Sequence, residues 1–246
     1  MNTDLMEKIQ QAKIDHAYQP LWDIETGKVF GYEALLRSMD ESFNGTIEQV
    51  FMEARKAGTL YELDTLSIFA AASRFPFEQI EENVCLFINV FPSTMIHEDF
   101  PDYIDQLLAD CPQIREKVVF EVNESGLEAD LWDASQLLEQ ARLLKAKGFR
   151  IALDDIGEAA ADLKKIAVYT PDYIKLDRFF AKGLSVTPEK QEKVSQLAGF
   201  QDIDIVLEGI EEEDDLKKAK DLHIRFVQGY LLGKPKKLSA ERTLAM

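Results

Sequence analysis

The chain has 246 residues, 46% of them hydrophobic, enough to bury a large core as one α/β barrel or as two ordinary domains. Its 28 basic residues against 45 acidic ones leave a formal net charge of -17, which argues against a sequence-independent grip on duplex nucleic acid or attraction to an anionic bilayer. A small anionic ligand stays open, because bound divalent cations reverse the field inside a carboxylate-lined cleft. Cys85 lies in an apolar run and Cys111 precedes a proline; with no metal-type spacing, they read as reduced structural thiols. The N-terminal "MNTDLMEKIQQAK" mixes acids with bases, and no later segment approaches the roughly 18 apolar residues of a membrane span. The expectation is a cytoplasmic protein without membrane insertion.

In chain order, residues 1–16 read as an N-terminal helix and 17–246 as one continuous domain, since no low-complexity linker or charge block marks a boundary. "AYQPLWDIETGKVFGYEAL" holds two β-like runs joined by "ETGK", a short Gly-containing turn, which predicts a hairpin and a first strand antiparallel to the second. Helical patterns follow at Ile47–Lys56 and Leu60–Arg74, then the β-like "VCLFINVF". Tyr103–Leu108 reads as helix, "KVVFEVNE" as strand, Leu131–Lys147 as helix and "RIALDDIG" as strand. Leu163–Val168, "DYIKLD", Glu189–Ala198, "DIVLEGIE", Glu211–Leu222 and "RFVQGYLL" continue the alternation to the end. Strands alternating with helices imply right-handed crossovers and parallel pairing. The repeat fits a (β/α)8 barrel of about 250 residues, with an open doubly wound sheet as the alternative.

Near the C-terminal end of these runs the apolar residues give way to a polar group: Glu33, Asn89, Glu121, Asp154, Lys175, Glu208 and Gln228. The period of two places Phe87 with Asn89, Val119 with Glu121, Ala152 with Asp154, Tyr173 with Lys175 and Val206 with Glu208 on shared faces. In a parallel barrel those strand ends converge on the rim where active sites are built. Carboxylates packed this closely repel unless protons or cations offset them, and an all-oxygen set favours Mg²⁺ or Mn²⁺. The adjacent Asp154 and Asp155 suit a bridge between two ions about 3.5 to 4 Å apart, the spacing used in phosphodiester hydrolysis. Each motif alone has an ordinary reading, "DDIG" as a capped turn or Gln228-Gly229 as a tight bend. Their common phase is what those readings leave unexplained.

"YEALLR", with the strings above from about Tyr18 to Pro235, resembles the EAL-domain family of cyclic di-GMP phosphodiesterases. The resemblance implies a TIM-like barrel with an antiparallel first strand, opening cyclic di-GMP to linear pGpG with two Mg²⁺ or Mn²⁺ ions. It implies that Glu33, Asn89, Glu121 and Asp154 ligate one ion, and that Asp154, Asp155 and Glu208 hold the second. Lys175 would orient the nucleophilic water or share in proton transfer, with Glu211 and Gln228 supporting the network. Gln19 and Pro20 of "YQPL", with Leu36 and Arg37, resemble substrate-contacting stretches, Arg37 being suited to a phosphate oxygen. A homodimer is a further expectation, and an unknown protein regulator would suit a domain that stands alone.

The match departs from the family after the two aspartates, where members that turn over well usually read D-D-F-G-T-G. This chain reads Asp154, Asp155, Ile156, Gly157, Glu158, Ala159. If the second glycine sits at positive φ, Ala159 costs about 1 kcal/mol or forces another path. Glu158 would also place like charge near Glu124, the family's anchor for this loop. The expectation is weak or conditional hydrolysis, the alternative a non-catalytic cyclic di-GMP receptor or protein-docking module on the same barrel.

Overall fold

A computed structural model describes residues 13–38, 45–122, 126–156, 160–199 and 203–238. The strands are β1 (Ile14–Asp23), β2 (Lys28–Ser38), β3 (Cys85–Val90), β4 (Val118–Val122), β5 (Arg150–Ile156), β6 (Tyr173–Leu176), β7 (Asp204–Leu207) and β8 (Phe226–Gln228). They close in that order into a barrel. β1 runs antiparallel to both of its neighbours, β2 and β8, and every other pairing is parallel. Asp23 makes the expected hairpin: its Oδ1 accepts from the backbone N–H groups of Glu25 and Thr26 at 3.0 and 3.2 Å, the local bond by which Asp initiates turns.

The N-terminal expectation is corrected at its end. Residues 14–16 are strand, paired with Ser38, Arg37 and Leu36, because the alternating burial of this stretch fits a sheet edge closed by β2; residues 1–12 lie outside the described residues. The Leu60–Arg74 helix has the bounds its sequence pattern predicts. The expected Leu131–Lys147 helix is instead a 3-10 segment over Gly126–Asp133 followed by an α-helix over Ser135–Ala146. Ile47–Ala57 begins at a capping box in which Thr46 Oγ1 accepts from Gln49 N and Gln49 Oε1 accepts from Thr46 N. No helix among the described residues is long and apolar enough to cross a membrane.

Strand alternation divides the apolar side chains into two cores. Outward residues such as Leu86, Ile88, Phe120, Leu153 and Ile174 pack under the helices with Ile68, Phe69, Ile104, Leu137 and Leu144. Inward residues Leu21, Cys85, Phe87, Val119, Ala152, Tyr173, Val206 and Phe226 fill the barrel, with Phe30 against them. Ring centroids of Phe30 and Phe226 lie 4.0 Å apart and those of Phe87 and Tyr173 5.3 Å, so the interior is a packed plug.

That plug is the floor of whatever sits above it. Phe87→Ala should lose about 3–5 kcal/mol in urea unfolding through transfer and cavity costs, while Val186→Ala on the surface stays within about 0.5 kcal/mol. A near-neutral Phe87→Ala would mean that the barrel interior is loosely packed.

Candidate active site

One step of two residues beyond the plug, polar groups replace apolar ones on the same inward face. Phe87 leads to Asn89, Val119 to Glu121, Ala152 to Asp154, Tyr173 to Lys175, Val206 to Glu208 and Phe226 to Gln228. Lys175, 1% exposed, is at the centre: its Nζ lies 2.7 Å from Glu208, 2.8 Å from Glu121, 3.3 Å from Asp154 and 3.5 Å from Glu33. Asn89 Nδ2 donates to Glu121 at 3.1 Å and to Glu33 at 3.5 Å, and Gln228 Nε2 donates to the other oxygen of Glu33 at 2.7 Å.

Two backbone devices complete the ring. Between β5 and β6 the register passes from Leu153↔Ile174 to Ile156↔Leu176, three residues against two, so β5 carries an extra residue. Asp155 occupies that bulge at φ +53°, a strained setting for a non-glycine residue that places the second carboxylate beside Asp154. Beyond Glu208, Gly209 has φ +75°, and a Cβ there would stand 2.4 Å from Arg178 Cβ; only glycine lets the chain leave β7 along this path.

One ammonium faces five carboxylates, and the charge imbalance appears in their proton affinities. Burial pushes the Glu121 carboxyl well above its ordinary range, opposed by Lys175 and reinforced by Glu33 and Asp154. Burial, then Asp154 and Glu33, push Glu208 up to about 8 against the pull of Lys175. Burial and Asp154 push the more exposed Asp155 up to about 6. For Lys175 burial works against the charge, yet Asp154, Glu121, Glu208 and Glu33 outweigh it and hold the ammonium well above its usual value.

The donor set fits divalent cations. Ligand oxygens of Asp154, Asp155 and Glu208 lie within 4.8 Å of one another. Glu121 Oε1 and Asp154 Oδ1 are buried with the Lys175 ammonium as their near neighbour, at 2.8 and 3.3 Å. All-carboxylate and amide oxygens are hard ligands, the chemistry of Mg²⁺ or Mn²⁺. A cavity of about 560 Å³ opens beside the cluster, running from Glu33, Asn89 and Asp155 to Arg37, Phe51 and Phe91.

A family model for the EAL domain matches residues 2–235. The chain belongs to the EAL domain family. It is 25% identical over 237 residues to the cyclic di-GMP phosphodiesterase RocR of Pseudomonas aeruginosa, covering 94% of this chain and 60% of that protein. It is 26% identical over 238 residues to the probable cyclic di-GMP phosphodiesterase PdeN of Escherichia coli, covering 94% of this chain and 45% of that protein. This EAL domain therefore spans roughly half the length of those relatives. Among solved structures, the PaMucR phosphodiesterase in complex with c-di-GMP superposes with a TM-score of 0.81 at 25% identity, over 98% of this chain and 100% of that one.

Other sequence-predicted residues fall unevenly around the centre. Gln19 is the register partner of Glu33, and its Nε2 donates to Gly233 O at 3.2 Å; Pro20 packs so closely on Gly233 that a Cβ there would lie 2.5 Å from its Cγ. Arg37 shares the phase of Glu33 and is exposed at the cavity wall, donating to Leu36 O at 2.8 Å. Leu36 has the opposite phase and packs with the core beneath the helices, and it also lines the cavity beside Arg37. Glu211 is exposed, with no hydrogen bond or ion pair to the cluster among the described residues. Glu124, Gly157, Glu158 and Ala159 lie outside the described residues. Two buried carboxylates that the motif reading missed, Asp64 and Glu128, stand near the cavity. The signal for Asp64 was its i+4 spacing from Leu60 and to Ile68 on a buried helix face.

The raised carboxyl values set a pH dependence. Between the ordinary 4.5 and about 8 the folded protein holds more protons on Glu208 than the unfolded chain, so this contribution to stability is lost as pH rises through that window. His16, pushed down to about 4 by burial, acts in the opposite direction below its ordinary 6.5. In chelator, the melting temperature should therefore fall from about pH 6.5 to about pH 8.5, and saturating Mn²⁺ should flatten the slope by neutralising the same carboxylates. A melting temperature that rises across that interval in chelator would contradict the assignment.

Proposed function

We propose that this EAL domain hydrolyses cyclic di-GMP to linear pGpG with two divalent cations, Mg²⁺ or Mn²⁺. The observation that carries this is the ring of carboxylates about Lys175 Nζ, built on a sealed barrel floor and open to a cavity of about 560 Å³. The cyclic di-GMP phosphodiesterases among the relatives, and the c-di-GMP complex of PaMucR, supply the substrate class.

Glu33, Asn89, Glu121 and Asp154 would hold one ion, and Asp154, Asp155 and Glu208 the other. Bound there, the two ions supply Lewis-acid polarisation of the phosphoryl oxygens and a water of lowered pKa. Lys175 keeps Glu121 and Glu208 in place and offers its ammonium to orient a water and offset charge developing at phosphorus. Gln228 fixes Glu33 through the 2.7 Å bond, leaving the remaining carboxylate oxygen to face the centre. Arg37, on the cavity wall, has guanidinium donors for a phosphate oxygen. The apolar plug below closes the barrel interior to water, which strengthens each of these electrostatic terms.

A receptor without turnover is the second reading, favoured by the sequence Ile156, Gly157, Glu158, Ala159 that follows the aspartate pair. Chromatography of cyclic di-GMP after incubation with the protein decides between them. Hydrolysis predicts pGpG in Mg²⁺ or Mn²⁺, none in chelator, and a loss of about 100-fold or more in Glu33→Ala and Asp155→Asn. Cyclic di-GMP that binds yet stays intact at saturating metal would establish the receptor.

A further inference from the structure

The segment that follows Asn89 is held by side chains from three separate elements. Phe91 N donates to Asp64 Oδ2 at 3.0 Å, from the Leu60–Arg74 helix. Ser93 N and Oγ donate to the two oxygens of Glu128 at 3.0 and 2.5 Å, from the 3-10 segment over Gly126–Asp133. Arg55, from the Ile47–Ala57 helix, places Nη2 2.5 Å from Glu128 Oε1 and its guanidinium 5.5 Å above the Phe91 ring. Asp64 and Glu128 are each 2% exposed.

Burying two carboxylates is costly unless each is well bonded, and a surface-facing loop needs neither. The Pro92–Met95 helix has four residues and cannot hold its own geometry in isolation. Yet Asn89, two residues before Phe91, has to present its amide to Glu121 and Glu33 across the barrel. Asn89 and Val90 pair with Glu121 and Val122 on β4 at the very end of β3, so the hold on Phe91 and Ser93 fixes this strand end where the pairing stops. Among the described residues neither buried carboxylate bonds or pairs with Lys175 or the rim carboxylates, so their influence on the centre runs through this segment.

We propose that Asp64 and Glu128, the latter paired with Arg55, are positioning residues that hold Asn89 against the carboxylate cluster and so set the affinity of the centre for a divalent cation. The role rests on Asn89 being a ligand, as given under Proposed function, and it needs no turnover.

The test is a Mn²⁺ titration of the full chain followed by the electron paramagnetic resonance signal of the free ion, with melting temperature in chelator recorded beside it. Glu128→Ala should weaken Mn²⁺ binding about tenfold, as is usual for residues that orient a ligand. Glu128→Gln keeps an acceptor for Ser93 N–H and should recover to within about threefold of the unmutated chain. In an Asn89→Ala background the same Glu128→Ala change should cost less than about twofold, because its route to the metal is already gone. An unchanged Mn²⁺ affinity in Glu128→Ala, or an equal loss with and without Asn89, overturns the proposal. If Glu128→Ala fails to fold, Ser93→Ala, which removes the hydroxyl bond to Glu128, carries the same cycle. Hydrolysis is not read in this assay, so protein that binds Mn²⁺ and leaves cyclic di-GMP intact defeats the proposed activity while the cycle still decides the positioning role.

Discussion

The ammonium of Lys175 among its carboxylates is the interaction on which the rest of the site depends. A lysine at 1% exposure would give up its proton in an apolar interior, and Glu121 at full burial would take one up. Placed 2.8 Å apart, each supports the charge of the other. Yet one positive charge cannot balance Glu33, Glu121, Asp154, Asp155 and Glu208 together. The remaining imbalance is offset in part by protons, since burial and mutual repulsion raise the proton affinity of Glu121, Glu208 and Asp155, and a divalent ion would offset the same charge.

The barrel converts a phase in the sequence into a point in space. Because side chains alternate with a period of two, a polar residue placed two positions after an inward apolar one must rise directly above the plug, and six parallel neighbours do this at one level. β1 reaches the same level from the opposite direction, so Gln19 precedes the inward Leu21 where the other strands place the polar residue after it. The Phe30, Phe87, Tyr173 and Phe226 rings then have a second consequence. By filling the lower barrel they keep the dielectric low beneath the cluster, which magnifies repulsion among the carboxylates and attraction to any cation alike.

What was legible in the sequence was whatever the period of two controls. Asn89, Glu121, Asp154, Lys175, Glu208 and Gln228 come together as their phase requires, and the "ETGK" turn gives the antiparallel first strand. Leu36 is legible only in part: its phase opposes that of Arg37 and it packs with the core beneath the helices, yet it lines the cavity as well. Glu211 lies past the end of β7, where the strand phase no longer applies, and it faces solvent. Asp64 and Glu128 were hidden for another reason. Their partners are backbone N–H groups at Phe91 and Ser93, distant in sequence, and no local pattern announces an acceptor for a remote amide.

The aspartate pair shows which part of the centre the altered loop can reach. Asp154 and Asp155 sit within a bulge whose two sides are each pinned to β6, by Leu153 on Ile174 and by Ile156 on Leu176. Leu153, Ile156, Ile174 and Leu176 are fully buried, so both pins lie in close-packed core where a shift would open a cavity. The residue that departs from the family pattern first, Ile156, is one of those pins and fills its place in the core without exposure. The strain at Asp155, φ +53°, is therefore maintained from within the β5 and β6 pairing. Substitutions downstream at Glu158 and Ala159 act after the second pin. The geometry of Asp154 and Asp155 is already fixed by the β5 and β6 pairing before the chain reaches them.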